Sequence, residues 1–176
     1  MPRFAANLSM MFNEVPFLDR FAAARKAGFD GVEFLFPYDF KPAELATRLK
    51  GEGLTQALFN MPPGDWANGE RGLASLPGRQ QEFRDAVMRA LEYAQALDCE
   101  LVHCMAGIPS ADVPAGTAAA LYASNLAWGA EKASAAGVKL VIEPINHRDM
   151  PGYHLNTQAQ GAAVIGAMTN RAVAAC

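Results

Sequence analysis

Apolar residues along this chain fall into two alternating patterns. Short continuous runs recur at residues 3–8 (RFAANL), 31–36 (GVEFLF), 54–59 (LTQALF), 99–105 (CELVHCM) and 138–142 (VKLVI). Their length and continuity are those of strands covered on both faces. Between them the period changes to three and four. Residues 16–27 set Phe17, Leu18, Phe21, Ala22 and Ala24 on one side of a helix and Asp19, Arg20, Arg25 and Lys26 on the other, with Gly28 at the C-cap. A second amphipathic helix, residues 41–50, starts near Pro42 and is ended by Gly51 and Gly53. Residues 79–97 carry Phe83, Val87, Met88, Leu91 and Ala94 at helical steps, and residues 117–136 form an alanine-rich helix with a weaker stripe of Leu121, Leu126, Trp128 and Ala133. Residues 60–78 break both patterns with proline, glycine and Trp66. They read as a long ordered loop, which at this length is more often functional than not.

Strand and helix alternating with short connections predict parallel strands covered by helices. Right-handed crossovers lay such strands side by side in chain order. That ordering builds a (β/α)8 barrel if it continues in one direction and a doubly wound sheet if it reverses. Periodicity does not distinguish the two.

The stretch that carries chemistry is residues 138–155, VKLVIEPINHRDMPGYHL. Its apolar run stops at Glu143 and continues as Asn146, His147, Arg148, Asp149 and His154. An acid closing a buried strand, followed by clustered polar side chains, places a site at the strand's C-terminal edge, where α/β folds bind ligands. The alternative is a charged residue marking where the strand surfaces.

Composition narrows the partners. The 176 residues are 51% apolar, enough for one domain that buries roughly 70% of its unfolded surface. The formal charge of −3, with no basic block, argues against non-specific binding to nucleic acid or to an anionic membrane. The three cysteines, Cys99, Cys104 and Cys176, match neither a zinc knuckle nor a disulfide framework, and a reducing cytoplasm is expected. Asn7, Asn13, Glu14 and Asp19 interrupt any secretion signal, and no window has the length of a membrane span.

Four segments together resemble the hydroxypyruvate isomerase family of xylose-isomerase-like barrels. They are FAANLSMMF, GFDGVEFLFPYDF, the loop NMPPGDWANGERGLASLPGR with EFRD after it, and IEPINHRDMPGYHL. The resemblance runs from Arg3 to about Leu155, and GDWANGERG is its most discriminating part. It implies a (β/α)8 TIM barrel. It further implies isomerisation of a small hydroxy-oxo acid, hydroxypyruvate to tartronate semialdehyde or a related 2-oxo-sugar acid. A divalent metal, magnesium or manganese, is implied at the barrel mouth, with Glu143 as metal ligand and proton-transfer carboxylate. Moving a proton between adjacent carbons through an enediolate needs a base near the carbon and a cation for the developing oxyanion.

Several companions are candidates for substrate binding. His147 lies four residues beyond Glu143 and is either at the substrate or a local hydrogen-bond partner. His103 points into the mouth or into the core. Glu33, a carboxylate inside an apolar run, needs a partner if it faces inward. Asn7 and Asn60 end the first and third strands. Arg71 offers a bidentate fork to a carboxylate, or else pins its own loop through Glu70 or Asp65. Trp66 is expected to pack the loop over the mouth, and Pro144 to hold Glu143 extended.

The chain departs from the family in length. A complete barrel takes about 250 residues, whereas only about five β/α units can be read here. The strands that would carry the remaining metal ligands and a second catalytic glutamate are not matched, and the tail from about residue 157 is atypical. The expectation is therefore a single, C-terminally truncated partial barrel over residues 1–176. Unpaired strand edges beside an apolar interior predict self-association as a homo-oligomer. Two other readings stand beside the isomerase: a catalytically silent, self-associating half-barrel, and a sugar or sugar-acid epimerase. No glycine-rich phosphate fingerprint follows the first strand, which argues against a nucleotide enzyme.

Overall fold

The computed structural model describes residues 2–168 and 173–175. Six parallel strands lie side by side in chain order: β1 (Ala5–Asn7), β2 (Gly31–Phe34), β3 (Thr55–Asn60), β4 (Leu101–His103), β5 (Lys139–Ile142) and β6 (Val173–Ala175). The helices are α1 (Arg20–Lys26), α2 (Pro42–Glu52), α3 (Gln80–Ala96), α4 (Ala115–Ala135) and α5 (Gln158–Ala167). Sequential order without reversal is the growth pattern of an incomplete (β/α)8 barrel, and it excludes a doubly wound sheet over these strands.

Each strand and helix expected from periodicity is present, with shifted ends. Helix α1 begins as a 3-10 turn at Phe17–Asp19, and β4 is cut to three residues. The five expected strands are joined by a sixth in the tail, where Leu140, Val141 and Ile142 pair with Val173, Ala174 and Ala175. A three-residue run in an alanine-rich tail is too short to stand out as a period, so only pairing with β5 reveals it. The weak tail helix becomes α5, started by a capping box in which Thr157 and Gln160 satisfy one another's backbone N–H groups.

Alternation along the strands assigns the two faces of the sheet. Val32, Phe34, Phe59, Val102, Leu140 and Ile142 are buried against the helical layer. There Phe34 packs on Phe21 and Phe59 at ring distances of 6.1 and 6.5 Å. Gly129 of α4 lets Leu140 approach closely, since a Cβ there would meet its Cδ1 at 3.1 Å. The intervening positions face the barrel axis. At the strand starts the sheet is open: Leu101, on the inner face, is 36% exposed, and Phe4, just before β1, is 73% exposed. Among the described residues, no helix is long and apolar enough to cross a membrane.

The long loop between β3 and α3 is sewn onto the top of β4. Ser75 donates from its backbone N–H and its hydroxyl to the Ala106 carbonyl, at 2.9 and 2.8 Å. Asn125 of α4 donates to the Ala74 carbonyl at 2.9 Å. Gly72 makes the closest approach. Its φ is +114°, and a Cβ there would run into the Met105 backbone. Gly72→Ala is therefore expected to lower unfolding stability by about 3 kcal/mol, combining left-handed strain with overpacking. Gly28→Ala, at φ +92° but in open space, should cost only about 1 kcal/mol. Urea denaturation of the two variants reads the difference, and equal losses would contradict the close packing of the loop on β4.

Candidate active site at the C-terminal ends of the strands

Parallel register brings the polar strand ends together. Asn7 pairs with Glu33 across β1 and β2, and the Asn7 side-chain amide donates to Glu33 Oε1 at 3.0 Å. The Asn7 side-chain oxygen in turn accepts from the Ser9 backbone N–H, which fixes the amide's orientation. Asn60 pairs with His103 across β3 and β4. Its Oδ1 lies 3.1 Å from His103 Nδ1. Asn60 is itself anchored by Tyr38, whose hydroxyl donates to the Asn60 carbonyl at 2.7 Å.

His103 is 3% exposed. Burial pulls its pKa down to about 4, so the imidazole is neutral across the physiological range. Its Nε2 is buried and has no hydrogen-bond partner. An unmatched buried polar atom costs about 1–3 kcal/mol.

Glu143 follows β5 directly and lies two residues beyond Val141, the partner of His103 in the β4–β5 ladder. Its side chain is open to solvent. Loss of hydration among the surrounding atoms, and then the negative charge of Glu33, raise its carboxyl above the ordinary carboxylate range. The shift links the ends of β2 and β5 electrostatically and moves Glu143 toward the acidity of a general base.

Arg71 stacks its guanidinium 3.8 Å from the centre of the Trp66 ring, and Trp66 packs edge-on against Phe36 at 4.9 Å. Arg71 Nη1 donates to the carbonyls of Trp66 and Glu70 at 3.0 and 2.8 Å. Arg71 thus bonds within its own loop through the Glu70 backbone, and not through the side chain of Glu70 or Asp65. Glu70 pairs with Arg79 at 2.6 Å, which holds its carboxyl below the usual range. Asp65 caps Asn68, accepting from its backbone and side chain. With those acids engaged, the Arg71 charge meets no carboxylate among the described residues.

His147 is exposed in a turn organised by Asn146, whose side-chain oxygen accepts from the Arg148 and Asp149 backbone N–H groups at 2.9 and 3.0 Å. No hydrogen bond joins His147 to Glu143. Asn7, Glu33, Asn60, His103 and Glu143 therefore gather at the strand ends, Arg71 sits on the covering loop, and His147 lies on the exposed turn after β5. Sequence reasoning missed the supports. Tyr38 holds Asn60, and the Tyr153 hydroxyl accepts from the Ala106 N–H at 2.7 Å. Nothing in the local pattern marks either tyrosine, because each acts on a residue far away in the chain. Cys99 and Cys104 are buried free thiols, pushed up by burial to about 11 and about 12. Cys176 lies outside the described residues.

Among the described residues, no group of three or more His, Cys, Asp or Glu side chains is placed to hold a metal ion. One carboxylate, Glu143, does not make the divalent-cation site implied by the resemblance, so the residues present do not fit that site. A concavity of about 920 Å³ opens at the opposite end of the strands, lined by Phe4, Ala57 and Leu101 among others. It forms the floor of the half-barrel and holds none of the strand-end polar residues.

Comparison with known proteins agrees with this geometry. The 2-oxo-tetronate isomerase of Cupriavidus necator is 60% identical over 164 residues, covering 93% of this chain and 63% of the relative. The hydroxypyruvate isomerase of Escherichia coli is 46% identical over 165 residues, covering 94% of this chain and 64% of the relative. A crystal structure from Brucella melitensis described as AP endonuclease, family 2, superposes with a TM-score of 0.97 at 51% identity, covering 99% of this chain and 67% of that one. The chain thus spans under two thirds of the length of the two isomerases. A family model described as xylose isomerase-like TIM barrel matches residues 21–176, nearly the whole chain. With the sequential parallel sheet and its polar strand ends, this match shows that the chain belongs to the xylose isomerase-like TIM barrel family.

Proposed function

We propose that this chain supplies the base-bearing part of an isomerase site that moves the carbonyl of a small 2-oxo-3-hydroxy acid from C2 to C3. The observation that carries the reading is the Glu143 carboxyl at the strand-end mouth, raised above its ordinary range by lost hydration and by the charge of Glu33. Hydroxypyruvate and 2-oxo-tetronate, named for the two relatives, present the same reacting unit: a carboxylate, a ketone and a neighbouring hydroxyl-bearing carbon.

In this reading Arg71 receives the substrate carboxylate. Its guanidinium is immobilised by Trp66 and two carbonyls, so little rotamer freedom remains to be lost on binding. Glu143 takes the proton from C3, and the electron pair of that C–H bond forms the C2–C3 double bond of an enediolate. Glu143 then returns the proton to C2 while the O3 hydroxyl proton passes to O2 and the C3 carbonyl forms. Glu33 keeps Glu143 basic enough to accept the proton and acidic enough to return it. Asn7 fixes the Glu33 carboxylate. His147, exposed on the turn four residues beyond Glu143, is kept as a candidate contact to the substrate and is assigned no proton transfer.

The homo-oligomer expected from sequence is retained in this proposal. Among the described strands β1 has a neighbour on one side only, and Phe4 before it and Leu101 at the start of β4 remain exposed. A second copy is the proposed cover. These same features favour the second reading, a catalytically silent assembly.

Three outcomes are expected. Glu143→Gln should reduce isomerisation of hydroxypyruvate, followed by proton NMR, about 10²–10⁴-fold while leaving KM nearly unchanged. No turnover by the folded wild type would favour the silent assembly instead. Glu33→Gln removes a negative charge that acts on Glu143, which stabilises the ionised carboxylate and lowers its pKa. The acidic limb of kcat/KM should therefore move to lower pH, and carbon-13 titration of the Glu143 carboxyl should move the same way. An unmoved carboxyl would show that the two acids do not interact. Sedimentation velocity should give a mass of at least twice 18.8 kDa, and a monodisperse monomer would refute the pairing.

A further inference from the structure

Three buried side-chain atoms lack partners among the described residues: Gln56 Oε1, Tyr122 OH and His103 Nε2. Gln56 lies near the start of β3 and Tyr122 on α4, whereas His103 ends β4 among the polar strand ends. Its neighbours determine what that nitrogen offers. Asn60 Nδ2 is turned to the Met105 sulfur at 3.9 Å, which leaves Asn60 Oδ1 as the atom facing the imidazole. An amide oxygen only accepts, so the proton of the neutral ring belongs on Nδ1. Nε2 then carries a lone pair and no proton. Asn60 is thereby a positioning residue that selects the tautomer of His103.

From this geometry we infer that His103 Nε2 accepts a hydrogen bond from the substrate hydroxyl next to the ketone. The inference rests on the 2-oxo-3-hydroxy acid reading above. Ketone and carboxylate oxygens are themselves acceptors and have nothing to give this nitrogen. A cation would need further protein ligands, and no group of three or more His, Cys, Asp or Glu side chains is placed to hold one among the described residues. A hydroxyl needs only one acceptor. His103 is thus a specificity-determining residue: it distinguishes a 2-oxo acid bearing a C3 hydroxyl from one without it. A site built to meet a hydroxyl discriminates strongly against the analogue lacking it, because the buried partner is then left unpaired.

Hydroxypyruvate and pyruvate differ only in that hydroxyl and serve as the probes. The 176-residue chain, labelled with nitrogen-15 at its three histidines, should show His103 protonated at Nδ1 and bare at Nε2. Hydroxypyruvate should move the Nε2 resonance upfield, and pyruvate should not. Calorimetric titration should find hydroxypyruvate bound roughly tenfold more tightly than pyruvate. His103→Phe should bring the two acids to equal affinity, and His103→Gln, which keeps an acceptor at the same reach, should restore much of the preference. Unfolding curves identify a variant that has lost its fold, and the wild-type resonances decide the matter without it. A protonated Nε2, or equal binding of the two acids by wild type, overturns this inference alone. Failure of wild type to bind either acid overturns it together with the substrate reading.

Discussion

The site depends on the register of a parallel ladder. Hydrogen bonding between neighbouring strands sets Asn7 against Glu33 and Asn60 against His103, and the alternation of side chains turns all four from the helical layer toward the axis. A slip of one residue would exchange them for Ala6, Val32, Phe59 and Val102 and bury four polar groups among the phenylalanines. The apolar contacts on the outer face therefore do more than stabilise the sheet. By making the wrong register costly, they hold the polar face in position.

Two electrostatic features grow from that scaffold. Glu33 and Glu143 come from strands separated by two others in the sheet, yet the charge of one is felt by the other. Curvature of the sheet is what allows it: strands at the two sides of a half-barrel look toward each other across the axis. The second feature is the cation of Arg71. The loop spends its own acids elsewhere, Glu70 on Arg79 and Asp65 on Asn68. It then fixes the guanidinium with neutral carbonyls and an aromatic face. A raised carboxyl and an immobilised cation are thus carried by separate elements.

The loop joins these parts because its backbone packs on β4 itself. The close approach of Gly72 to Met105 and the bonds of Ser75 to Ala106 place the loop directly above the residues that follow His103.

Much of this was legible in the sequence. Short continuous apolar runs and stripes of period 3.6 predicted the first five strands and the helices between them, because burial on a strand or a helix imposes that pattern locally. An acid ending the last apolar run pointed to Glu143, and GDWANGERG marked the loop. Tertiary structure decided whatever depends on which residues become neighbours. The tail strand β6 exists through its pairing with β5. The orientation of His103 follows from Asn60, forty-three residues earlier. Arg71 was left without a carboxylate because Arg79 took Glu70. The physical reason is common to all three: periodicity records the environment of one segment, while hydrogen-bond partners and charge neighbours are set by contacts between segments that the one-dimensional pattern does not contain.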